Sequence, residues 1–126
     1  MNEKIKTYRD LIVWQKSVAF VTSVYTTTKL FPQEEKFGIV SQLNRASVSI
    51  PSNIAEGYGR ESSKNYLQFL KIARGSLMET ETLIEISKNL NFINELTYNS
   101  MTNDLNEISK ILQGLIKSVQ QKINVN

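Results

Sequence analysis

The side chains able to do chemistry are unevenly spread along this chain. Between residues 36 and 74, six basic side chains (Lys36, Arg45, Arg60, Lys64, Lys71 and Arg74) stand against two acids, Glu56 and Glu61. From 75 to 109 the balance inverts, with Lys88 set against Glu79, Glu81, Glu85, Glu95, Asp104 and Glu107. The last stretch, 110–126, carries Lys110, Lys117 and Lys122 and no acid. Two origins fit this pattern. One is ordinary solvated helix faces. The other is a basic surface for a polyanion, with the acidic stretch pairing inside the fold or with a neighbour. In the second case Arg9, Arg60, Lys64, Lys71, Arg74, Lys110 and Lys117 are the expected phosphate contacts, giving affinity with little base reading. Tyr58 and Tyr66 then either stack bases or pack helix ends.

Catalytic chemistry finds little to work with. The 126 residues include no cysteine and no histidine. That removes thiol chemistry, disulfides, imidazole relays and zinc–histidine sites. It also removes the Glu-x-x-His pairs that hold di-iron centres in helical bundles. No phosphate-binding loop, dinucleotide glycine fingerprint or calcium loop occurs, and "GYGR" (57–60) is too short to cradle a phosphate. Glu56 has no partner base or metal ligand near it in sequence, so no catalytic residue, metal or cofactor is expected.

These residues must be positioned by helices. Forty per cent hydrophobic and twenty-one per cent charged residues suit a globular chain of one domain, spanning 1–126. The start, "MNEKIKTYRD", lacks the apolar stretch of a signal peptide, and no apolar run is long enough to span a membrane. With the lack of cysteine this fits a cytoplasmic protein. Apolar spacing of three and four predicts four helices, at about 10–30, 33–57, 63–91 and 94–122. In the first, Leu11, Trp14, Val18, Val21 and Tyr25 mark one side, widened by Val13, Phe20, Val24 and Phe31, with Asp10 as the N-cap or as a favourable charge near the N-terminus. Ile39, Leu43, Ala46, Ile50 and Ile54 mark the second. Tyr66, Leu70, Ala73, Leu77, Thr80 and Ile84 mark the third, with Phe69, Ile72, Leu83, Ile86 and Leu90 thickening its face. Met101, Leu105, Ile108, Leu112, Leu115 and Val119 mark the fourth. Short connections make neighbours antiparallel, so the expected fold is an all-α, antiparallel, up-down-up-down four-helix bundle.

Two stretches qualify that picture. In "NRASVSIPSNIAEGYGRES" (44–62) Pro51 interrupts a helical spacing, and a helix-interior proline deletes a hydrogen bond at about 3 kcal/mol. Ile50 and Ile54 keep the period across it. Ser47, Ser49 and Ser52 offer hydroxyls to freed carbonyls. A continuous second helix kinked at Pro51 is therefore expected. Gly57 or Gly59 would then supply a left-handed stop, and Ser62 or Ser63 the next cap. In "ARGSLMETE" (73–81), Gly75 and Ser76 sit mid-helix, where glycine costs about 1 kcal/mol unless packing requires it. A turn centred near Arg60 places Gly75 opposite Arg45 and Ala46, with Glu79 within about a turn of Arg45. The expectation is a close helix approach and a partly buried Arg45–Glu79 ion pair. The alternative is an arginine for phosphate and a glutamate for chemistry. Asn53 and Glu56 are placed to bond the chain leaving the second helix.

The same residues carry a family resemblance. "DLIVWQKS" (10–17), "FP" (31–32), "SQLNRASVSIPSNIAEGYGR" (41–60) and "FLKIARGSLMETETLI" (69–84) resemble the 23S rRNA intervening-sequence protein family of bacterial four-helix bundles, in order, over nearly the whole chain. The blocks Arg45, Ala46, Ser49, Ile50, Asn53, Ile54, Ala55, Glu56, Gly57 and Ala73, Gly75, Ser76, Leu77, Glu79 are its most specific part. The resemblance implies a small cytoplasmic bundle. It also implies likeness to the accessory variability determinant of diversity-generating retroelements, a basic homopentamer that binds nucleic acid and a reverse transcriptase. No enzymatic activity comes with it. Two functions follow as expectations. One is a non-enzymatic homo-oligomer, a pentamer on the resemblance, binding RNA or DNA, structured RNA first. The other is a scaffold or accessory subunit for a larger nucleic-acid-processing protein, suggested by stripes on the first two helices wider than one core needs.

Overall fold

The computed structural model describes residues 4–125. Four α-helices carry the fold: α1 Ile12–Thr28, α2 Ile39–Tyr58, α3 Ser63–Asn89 and α4 Glu95–Asn124. Short 3-10 turns at Tyr8–Asp10 and Gln33–Glu35 precede α1 and α2, and no strand occurs among the described residues. Each helix packs on the next in sequence, and α1 closes the ring against α4. The α2–α3 seam is the most extensive and the α1–α4 seam the thinnest.

The core follows the predicted spacing in α2 and α4. Leu43, Ile50 and Ile54 on α2 and Leu105, Ile108 and Leu112 on α4 are fully buried. They join Leu70, Ala73, Leu77 and Ile84 of α3 in one contiguous cluster. Burying such side chains contributes about 1.5–3 kcal/mol each. In α3 the thickening residues Ile72, Ile86 and Leu90 stay outside the core, each at least 41% exposed.

In α1 the core takes the residues expected to widen the stripe, Val13, Phe20 and Val24, with Phe31 beyond the helix, and not those expected to mark it. Val13, Ser17, Phe20, Val24 and Thr28 are buried, while Val18 and Tyr25 are exposed and Leu11, Trp14 and Val21 only half-buried. Two hydroxyls explain the choice. Ser17 Oγ donates to the Val13 carbonyl at 2.6 Å, and Thr28 Oγ1 lies 3.3 Å from the Tyr25 carbonyl and 3.0 Å from Asn44 Oδ1. A buried hydroxyl satisfied by its own helix costs little.

The helix ends depart in detail. Leu11, not Asp10, is the N-cap of α1. Asp10 instead closes a capping box with Thr7 around the preceding 3-10 turn. Its carboxylate accepts from the Lys6 and Thr7 amides at 2.9 and 3.1 Å. Those bonds, Lys6's first, hold its carboxyl below the ordinary value. Residues 33–38 are not α-helix. Pro32 caps a 3-10 turn, and Gly38, at φ −102° and ψ −116°, separates it from α2. No glycine has positive φ, so neither Gly57 nor Gly59 forms a left-handed stop. Gly59 caps α2 in right-handed geometry, and the left-handed residue is Asn91, at φ 62°, between α3 and α4. Ser62 caps α3, its Oγ accepting from Asn65 N at 3.1 Å.

α2 runs through Pro51 as one helix, with the ring buried. The nearby serines bond elsewhere than the carbonyl that Pro51 leaves free on Ser47. Ser47 Oγ donates to the Asn44 carbonyl at 2.9 Å, and Ser49 Oγ pairs with Ser76 Oγ at 2.8 Å. Asn53 Nδ2 donates to the Ser49 carbonyl at 2.8 Å and to Ser49 Oγ at 2.9 Å, so it turns back along α2 and not toward the exit.

Candidate functional site

The expected phosphate contacts separate into two groups. Five sit on α3 and α4. Tyr98 Oη bonds Glu85 at 2.6 Å and Lys88 pairs with Glu95 at 3.4 Å near the connection. Toward the opposite end of the pair, Lys64, Gln68 and Lys71 of α3 share a cleft with Gln120 and Ile123 of α4. This antiparallel register sets Lys71 and Arg74 alongside the part of α4 that carries Lys110 and Lys117. Lys64, Lys71, Lys110 and Lys117 are exposed and Arg74 half-exposed. A second cleft at the same end is formed by Ser62, Ser63, Lys64, Lys122 and Ile123. No acidic residue lines either cleft. Among the described residues none of Lys64, Lys71, Arg74, Lys110, Lys117 and Lys122 has a carboxylate within 4.0 Å. Unpaired cationic groups left on one helix pair attract a polyanion.

Arg9 and Arg60 lie outside that group and are engaged locally. The Arg9 guanidinium stands 5.6 Å from the Tyr8 ring and 5.3 Å from that of Trp14. Arg60 lies over Phe69 at 4.8 Å and pairs with Glu56 at 3.9 Å. Glu56 thus does reach the chain leaving α2, through an exposed pair that contributes little. Tyr58 and Tyr66 meet edge to face, with centroids 5.9 Å apart. Burial, then the neighbouring Tyr58, pushes the Tyr66 phenol up to about 12. Its hydroxyl has no hydrogen-bond partner among the described residues.

The α2–α3 motif residues form a groove with a different character from the one expected. Ser41, Gln42, Arg45, Ser49, Ser76 and Glu79 line it. Arg45 and Glu79 are both exposed and no ion pair within 4.0 Å joins them. Gly75 is exposed too, and a Cβ there meets nothing within 4 Å. The physical reason is helical phase. Ser49 meets Ser76, so Arg45 and Glu79 lie nearly level across the seam but on its exposed rim, and Gly75, two residues from both buried Ala73 and buried Leu77, faces outward. The glycine that permits close approach is Gly57, where a Cβ would stand 2.6 Å from Phe69 Cβ and 3.3 Å from the Tyr66 carbonyl oxygen.

This sequence of helices is matched elsewhere. The family model for "23S rRNA-intervening sequence protein" matches residues 9–114. The chain belongs to that family. A crystal structure of a protein of unknown function from the S23 ribosomal protein family of Bacteroides thetaiotaomicron VPI-5482 is similar at a TM-score of 0.79 and 32% identity, covering 84% of this chain and 96% of that one. No curated protein matches.

Membership agrees with the motif blocks on α2 and α3 but assigns none of these residues a task. Lys122 is not among the expected contacts, and the fold adds it by setting it beside Lys64 in one cleft. Its signal was the acid-free tail it shares with Lys110 and Lys117. Among the described residues no cluster of acidic side chains is arranged to hold a metal ion, and no helix is long and apolar enough to cross a membrane.

Proposed function

We propose that this family member is a non-enzymatic, oligomeric nucleic-acid-binding bundle of the cytoplasm, with structured RNA as its first ligand class. The supporting observation is the gathering of Lys64, Lys71 and Lys122 around two acid-free clefts, with Arg74, Lys110 and Lys117 on the same helix pair. In this proposal the bundle runs up-down-up-down, α2 bends at Pro51, and five copies associate. Association repeats the basic face in each copy, so that a net charge of +3 per chain becomes a sizeable field. Contacts are to phosphate, so binding is nearly sequence-independent and falls steeply with salt.

A filter-binding titration with a structured RNA tests this at two salt concentrations, alongside light scattering for mass. A steep salt slope that becomes shallower in K64E/K71E/K122E agrees with it. Equal affinity of that variant and the parent, or a flat salt response, overturns it.

A scaffold for a larger nucleic-acid-processing partner is the second function considered. It is favoured by the apolar surface left outside the core: Val18 and Tyr25 on α1, and Leu30, Phe37, Leu90 and Leu96 by the helix connections, the last four at least 53% exposed. A protein partner retained from native lysate after nuclease treatment supports the scaffold. One lost with nuclease supports direct binding.

A further inference from the structure

A concave feature away from the basic α3–α4 face lies at the corner where α1 hands over to α2. It is a cavity of about 410 Å3, within the range of small-molecule sites, about 300–1,000 Å3. Its walls combine three kinds of group. Tyr25, Phe31 and Val40 supply apolar and aromatic surface; Asn44 supplies an amide; Lys29 and Lys36 supply ammonium groups. No acidic residue lines it, and among the described residues neither lysine has a carboxylate within 4.0 Å.

The corner is held firmly. Phe31 is buried and packs on Phe92 of the α3–α4 connection, centroids 5.3 Å apart, which fixes the floor. Thr28, buried, bonds Asn44 Oδ1 at 3.0 Å. That bond orients the amide and leaves its NH2 group without a partner on the half-buried cavity wall. Tyr25 lines the cavity and is 44% exposed.

We propose that this cavity binds a single nucleotide unit. The base stacks on Tyr25 over the Phe31–Val40 floor and takes a hydrogen bond from the Asn44 amide. The exposed Lys29 and Lys36 meet the phosphate, Lys36 turning from the Phe37 ring, whose centroid lies 5.6 Å from its ammonium. Unstacked bases are held this way in general: an aromatic face, an amide on the base edge, and cations on the backbone. The same chemistry is offered by a free nucleoside monophosphate and by the terminal nucleotide of a single strand. The site is separate from the α3–α4 face and stands without it.

The test is a titration of 15N-labelled protein with AMP and, separately, with a 5′-phosphorylated single-stranded tetranucleotide. Saturable shifts centred on Lys29, Gln33, Val40 and Asn44 are expected. With AMP they identify a free-nucleotide site, and with the tetranucleotide alone a strand-end site. Y25A and K29E/K36E, both changes at exposed positions, are each expected to weaken binding about tenfold. K64E/K71E/K122E is expected to keep these shifts while losing salt-sensitive RNA binding, so that this site and the proposed RNA face fail independently. No shift at the corner with either probe overturns the assignment. So do equal shifts with inorganic phosphate at the same concentration, or unchanged affinity in Y25A.

Discussion

Gly57 of α2 lies so close to Phe69 of α3 that a Cβ on the glycine would stand 2.6 Å from the Cβ of the phenylalanine. The obstructing atom is anchored to the α3 backbone and cannot rotate aside. The Tyr66 carbonyl oxygen, 3.3 Å from the same point, is backbone as well. Gly57→Ala is therefore expected to push the helices apart at their connected end. Overpacking costs about 1–3 kcal/mol, more than the roughly 1 kcal/mol that alanine gains in helix propensity. Chemical denaturation should show a lowered midpoint. A midpoint at or above the parent's would mean the two helices are not seated as described.

Gly75 should respond in the opposite sense. It lies inside α3, is exposed, and leaves open space where a Cβ would go. Gly75→Ala then removes backbone freedom from the unfolded chain at no steric cost. A gain of about 0.5–1 kcal/mol is expected, read as a raised midpoint in the same denaturation series. A loss of stability would show that the α3 surface at Gly75 is covered, as it would be if a neighbouring copy packs there.

These two glycines show where sequence was informative and where it stopped. Both stand at helix positions, but the sequence marks Gly75 for close packing and Gly57 for a left-handed stop, and the structure gives the close packing to Gly57 and the left-handed stop to neither. Deciding which one faces a partner needs the phase of each helix at the α2–α3 seam, which buries Gly57 and leaves Gly75 exposed. The core of α2 was legible because Ile39, Leu43, Ala46, Ile50 and Ile54 form its one strongly apolar stripe and all are buried. The core of α1 was legible only in part, through Val13, Phe20 and Val24, because its buried face also includes Ser17 and Thr28 while an apolar stripe runs beside it. Hydrophobicity ranks the second stripe higher, and only the self-satisfied hydroxyls make the first one cheap to bury. For the basic face, the α3 and α4 lysines were legible from charge alone. The convergence of Lys64 with Lys122 needed the fold.

Tyr66 carries a buried hydroxyl without a partner, and that makes its removal favourable. Tyr66→Phe keeps the ring against Gly57 and Tyr58 and deletes the unsatisfied oxygen. Losing an unsatisfied buried polar group is neutral or stabilising, by up to about 1–3 kcal/mol. A pH arm isolates the cause. The phenol is raised from its ordinary value of 10.0 to about 12 in the folded chain. A raised acid favours its neutral form when folded, so this stabilisation is complete below pH 10 and fades as pH climbs toward 12. The parent should lose stability over that window faster than Y66F, because lysine titration is common to both. Parallel curves would mean the hydroxyl is solvated.

Ser49 and Ser76 provide the polar tie of the same seam. Their hydroxyls are 2.8 Å apart, and Asn53 Nδ2 donates to Ser49 Oγ at 2.9 Å, so the three form a short network between α2 and α3. Removing one serine leaves the other hydroxyl half-buried and short of a partner, whereas removing both leaves nothing to satisfy across the seam. S49A and S76A should thus each destabilise, and the double variant should lose less than the two losses combined. The coupling is expected near 1 kcal/mol, within the range for directly contacting side chains. Strict additivity would show that water serves each hydroxyl as well as its neighbour does. In that case the α2–α3 seam would rest on Gly57 and the apolar core alone.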